Sequence, residues 1–128
     1  MKAEIMTEFE TMRADLEAEL AEARERVAET AADAAAADAA RLDAVAVRDA
    51  MQLAVGPLGE TIGAPIALRL ADKSRAVAQA TGNATRAKLL AEFARTRVVE
   101  LEAAITQIQH LIDPPQPEPE LIDAEAGA

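Results

Sequence analysis

Catalysis and metal binding need groups that hold a proton, a metal or a reactive electron pair, and this 128-residue chain offers few in useful combinations. It has one histidine, His110, one serine, Ser74, and no cysteine. A nucleophilic triad would need Ser74 beside His110 and an acid, yet the two lie 36 residues apart in stretches that both read as helix. The Glu-x-x-His pair of di-iron helical bundles is absent, because Gln107 stands three residues before His110. A usual catalytic zinc site needs more His or Cys than one imidazole supplies. The 23 Asp and Glu are spread along helical faces, an arrangement that holds divalent ions only weakly and without a defined cage. The run "GPLGETIG" lacks the Lys and Ser/Thr of a phosphate-binding loop and follows a helix instead of a strand. No catalytic, cofactor-binding or metal-binding residues are predicted, and the chain is not expected to be an enzyme.

Composition points to helices and to association. Ala supplies 33 of the 65 residues counted as hydrophobic, and there are two Phe and no Trp or Tyr. Ala is the best helix former because it loses no side-chain entropy, but its methyl group fills little core. The formal charge of −10 opposes binding to nucleic acid, which depends on clustered Lys and Arg. The acidic N-terminus "MKAEIMTEFETMR" has no apolar core of a secretion signal, so a cytoplasmic or particle-associated protein is expected.

The elements that would carry any function are two long helices, predicted over residues 2–55 and 65–112, with an apolar turn over 56–64. In the first, Ile5, Phe9, Met12, Leu16, Leu20, Ala23, Val27, Ala31 and Ala34 follow an eleven-residue rhythm that keeps one seam nearly straight. Farther along, helical drift is expected to turn Ala46, Ala50 and Leu53 inward and Asp38 and Asp49 outward. In the second, Val77, Ala80, Ala84, Ala87, Ala91, Ala94, Val98, Leu101, Ile105, Ile108 and Ile112 step by three and four, the spacing of a coiled-coil seam. Gly82, within "TGN", predicts a kink or break at 81–83. Four prolines after Asp113 end the helix, and residues 113–128 read as a disordered, acidic, Pro-rich tail.

The two seams face each other if the chain folds back on itself. Phe9 with Ile112, Leu16 with Ile105, Leu20 with Leu101 and Val27 with Ala94 share one register, centred between Glu60 and Thr61. Residues 1–55 carry a net charge of −7 and residues 65–112 a net +3, so the helices also attract. The expected fold is all-α: a long antiparallel helical hairpin over residues 1–112, an Ala-rich coiled coil that dimerises into a helical bundle.

Two surfaces are candidates for binding, unless the tip residues Leu58, Ile62, Ile66 and Leu68 fold back over Val55 and Met51 as a small knot that ends the hairpin and the second set widens the hairpin seam. One is the tip, where Val55, Leu58, Ile62, Ile66 and Leu68 lie in a 19-residue stretch, Ala50 to Leu68, whose single charge is Glu60. Pro57, Pro65 and three glycines argue against that stretch spanning a membrane. The other is a helical oligomer face of Val47, Met51, Leu89, Leu90, Phe93 and Val99, set off the main seam. The leading expectation is a non-catalytic scaffold or adaptor subunit of a larger particle, a homo-oligomer with the dimer favoured, or the binder of a partner protein. The alternative is a protein of a membrane or hydrophobic-granule surface, adsorbing through the apolar turn and amphipathic helices. It lacks the Lys/Arg collar of interfacial helices.

Overall fold

A computed structural model describes residues 2–115, and these residues form two α-helices and a turn. Helix α1 spans Lys2–Val55, a short 3₁₀ helix spans Gly56–Thr61, and α2 spans Ala64–Ile112. The described chain contains no strand. The tail expected over 113–128 lies outside the described residues from 116 onward.

Local chemistry accounts for the ends of each element. Pro57 opens the 3₁₀ helix, where its missing N–H removes a donor that would otherwise lack a partner. Gly59 has φ 55° and ψ −128°, a combination that type II′ turns reserve for glycine at their first central position. The chain reverses there, one residue before the centre implied by the facing seams. The Thr61 hydroxyl donates to the carbonyl of Leu58 across this reversal. Helix α2 begins at Ala64, one residue ahead of Pro65, and its first turn closes through the Ala67 N–H to the Gly63 carbonyl at 3.0 Å. It ends with the Asp113 N–H on the Gln109 carbonyl at 2.8 Å, before Pro114 and Pro115, which have no N–H to continue the ladder.

No break occurs at 81–83, where α2 is α-helical through Thr81, Gly82 and Asn83. The penalty of about 1 kcal/mol for one glycine is small beside the propensity of the Ala-rich turns around it. Helical threonines satisfy their hydroxyls locally. Thr7, Thr11, Thr30, Thr85 and Thr106 each donate to the carbonyl four residues back.

The first seam differs from its expected rhythm. Buried or half-buried positions on α1 are Met6, Phe9, Arg13, Leu16, Leu20, Ala23, Val27, Thr30, Ala34, Ala37, Arg41, Ala44, Arg48, Met51 and Val55, with Val45 beside Ala44. Their spacing alternates three and four throughout, a seven-residue repeat where an eleven-residue one was expected. Ile5, Met12 and Ala31, placed in the seam by the eleven-residue reading, are exposed. Ala46, Ala50 and Leu53, expected to turn inward, also face out, Leu53 being 82% exposed. The physical reason is that Arg13, Arg41 and Arg48 hold seam positions: an Arg stem lies along apolar surface while its guanidinium reaches water. On α2 the half-buried and buried positions are the eleven of the expected stripe, with Leu70 ahead of them and Ala104 beside Ile105.

The chain divides into two compact units. One joins the residues up to Glu22 with those from Val98 onward and holds three buried side chains, Leu20, Leu101 and Ile108. Arg13 Nη1 donates to Gln109 Oε1 at 3.0 Å, tying α1 to α2. Advancing seven residues on α1 and retreating seven to eight on an antiparallel α2 sets Leu20 opposite Leu101. Each such leucine contributes roughly 1.5–3 kcal/mol by leaving water. The other unit, Ala23–Arg97, contains the turn, and Ala91 is its buried hydrophobic residue.

Candidate interaction surfaces

The turn presents its apolar side chains unevenly. Val55 and Ile62 are half-buried, Leu58 and Ile66 are exposed, and Leu68, on the first turns of α2, is 63% exposed. Glu60, the charge of this stretch, is exposed as well. Among the described residues no helix is long and apolar enough to cross a membrane. The tip therefore combines a partly covered interior side with an apolar outer side.

The six residues predicted as a helical oligomer face differ in exposure and in the unit they belong to. Met51 is half-buried and belongs to the α1 seam, because the seven-residue repeat brings it into line with Ala44 and Val55. Val47 is exposed but lies 14 residues beyond Asp33 on α1, about 21 Å along the helix from the groove that Asp33 lines. Val99 is exposed and belongs to the unit of Leu101. Leu89, Leu90 and Phe93 remain as one cluster, three and four residues apart on α2 and hence neighbours on its surface. All three are exposed, Phe93 to 67%.

Phe93 and Leu90 border a groove of about 370 Å³ in the Ala23–Arg97 unit. Its remaining small or apolar lining comes from Ala23, Thr30 and Ala94, and its charged lining from Arg26, Glu29, Asp33 and Arg97. A second groove of about 270 Å³, between Ala34 and Ala84, is lined mainly by polar groups, including Asp38, Arg41, Thr81 and Lys88. Grooves form here because Ala and Thr at facing seam positions leave volume that a Leu pair would fill.

Sequence reasoning missed the seam arginines. Arg41 bonds Asp38 through Nε at 3.0 Å and Nη2 at 2.9 Å, with about a third of its side chain exposed. Arg48 bonds Asp49 through Nε at 3.1 Å and Nη2 at 3.0 Å. Asp38 and Asp49 thus face outward, as expected, and draw the guanidinium heads out of the seam. The signal was the spacing of Arg13, Leu20, Val27, Ala34, Arg41, Arg48 and Val55, each seven after the last. On α2, the exposed side chains of Asp72 and Arg75 pair three residues apart.

Ser74 and His110 are both exposed and belong to different units, Ser74 to the one with the turn and His110 to the last turn of α2. Among the described residues no group of three or more His, Asp or Glu side chains is placed to hold a metal ion. No buried side-chain nitrogen or oxygen there lacks a hydrogen-bond partner. No protein-family model, curated protein or solved structure matches the chain.

Proposed function

We propose that this is a non-catalytic structural protein, a helical hairpin that assembles with further copies or with a partner protein and serves as a scaffold or adaptor subunit of a larger particle. One observation carries the reading. Among the described residues four hydrophobic side chains are buried, whereas thirteen large hydrophobic side chains are exposed. Two helices have one contact line between them and therefore cover one stripe of each. Exposed Leu, Ile, Val, Met and Phe on the remaining faces gain by covering one another, at about 25 cal/mol for each Å² removed from water. The acidic surface keeps such a protein soluble until those faces meet.

Sedimentation equilibrium of the intact protein tests this reading. A dimer or higher oligomer at micromolar concentration supports it; a monomer with no captured partner overturns it. Changing Leu58, Ile62 and Ile66 together to Ser measures the contribution of the tip. A smaller assembly assigns the tip to the interface, and unchanged mass with a lowered melting temperature assigns it to packing within the turn. Exposure of Leu58, Ile66 and Leu68 also suits adsorption to a lipid or granule surface. Flotation with liposomes, with no discrete oligomer in solution, would favour that role instead.

A further inference from the structure

We propose that two copies of the chain associate side by side and antiparallel through the groove over Phe93, about a two-fold axis that passes beside that ring. This rests on the assembly reading above and specifies its surface and its symmetry.

The groove carries a knob and a hole on one face. Phe93 and Leu90 project at its border, and Ala23, Thr30 and Ala94 provide small side chains beside them. A two-fold contact is self-complementary: what one copy inserts, the other receives, and the reverse. An exposed aromatic ring entering a recess of small side chains has the form of the anchors that dominate protein interfaces.

Charge selects the direction of the second copy. On α1, Arg26 precedes Glu29 and Asp33, and Arg26 to Asp33 covers about 10 Å of helix. Because α2 runs the opposite way, Arg97 lies toward the Arg26 end and Leu90 toward the Asp33 end. The groove is therefore basic at one end and acidic at the other, with Phe93 between them. A parallel second copy would set arginines against arginines and carboxylates against carboxylates. An antiparallel copy sets each basic end against an acidic end. The chain as a whole carries −10 and repels its like, whereas these four lining charges cancel. A second copy carries both signs, and both the knob and the hole, in the order that this groove requires.

The test uses the full chain, which has no cysteine of its own. Ala94→Cys, which leaves the Phe93 ring in place, should give a linked dimer with a short bifunctional thiol reagent, and Leu53→Cys, 82% exposed but outside the groove, should not. Two rim variants complete the experiment. Arg26→Glu with Arg97→Glu makes the rim wholly acidic, and Glu29→Arg with Asp33→Arg makes it wholly basic. Each alone should self-associate roughly tenfold more weakly than the intact protein, and an equimolar mixture should recover the intact affinity. Circular dichroism checks that each variant keeps its helix content; if either rim variant loses it, the cysteine pair decides. An intact protein that assembles while Ala94→Cys stays unlinked, or while folded rim variants associate as it does, overturns the Phe93 interface and leaves the assembly reading standing. An intact protein that is monomeric overturns both.

Discussion

The two units are built from the same two helices and differ in what their seams contain. The unit of Leu20, Leu101 and Ile108 places bulky aliphatic groups at facing positions and buries them. The unit of the turn places mostly Ala, with Thr and Arg and a few Val, Leu and Met, at those positions. There one alanine is buried, two grooves open, and Leu89, Leu90 and Phe93 stand in water. Helical periodicity alone thus fixes where a seam runs, and the size of the side chains on it decides whether it closes. A seam too small to close leaves apolar groups and free volume exposed.

The contrast can be broken most forcefully in the well-buried unit. Leu101→Ala removes a nearly buried side chain opposite Leu20 and should lower stability by about 3 kcal/mol in urea denaturation followed by helix signal. Ala91→Gly, at the buried alanine of the other unit, should cost about 1 kcal/mol, because it loses helix propensity and one methyl group. If the alanine change proves the more damaging, side-chain size is not what separates the units.

At the turn, Gly59→Ala should cost about 2 kcal/mol. Nothing crowds a Cβ there, so the penalty comes from φ 55° alone. Gly82→Ala should act the other way. Gly82 is exposed in the middle of α2 with open space where a Cβ would stand, and alanine should raise stability by about 1 kcal/mol. The smallest effect belongs to Arg13→Ala, which deletes an exposed hydrogen bond to Gln109 and part of an aliphatic stem. About 0.5 kcal/mol is expected, with helix content unchanged.

Much of the fold was legible in the sequence for reasons that the same residues explain. The eleven positions of the α2 stripe are the positions that face inward, because Val98, Leu101, Ile105, Ile108 and Ile112 fix the phase and the preceding alanines keep it. The facing seams centred the reversal between Glu60 and Thr61, within two residues of Gly59. The α1 seam was misread because a reading by hydrophobicity passes over Arg13, Arg41 and Arg48 and accepts Ile5 and Met12 in their place. Along "AADAAAADAA" alanine occurs on every face, so its spacing carries no phase. The candidate surface was legible only as a set of apolar residues off the seam. Leu89, Leu90 and Phe93 share a surface by local spacing, but the groove beside them and the charges from α1 that line it appear only once both helices are in register.

The position of the turn has a consequence for how the chain folds. Gly59 lies within the thinly packed unit, and the contacts nearest it close short loops. Leu20 and Leu101 stand 81 residues apart in sequence, so their contact must wait until most of the intervening chain is ordered. The long loop between them predicts that this contact forms late in folding. Leu101→Ala should therefore accelerate unfolding several-fold while leaving refolding nearly unchanged, a signature that stopped-flow measurements across a range of urea would read directly.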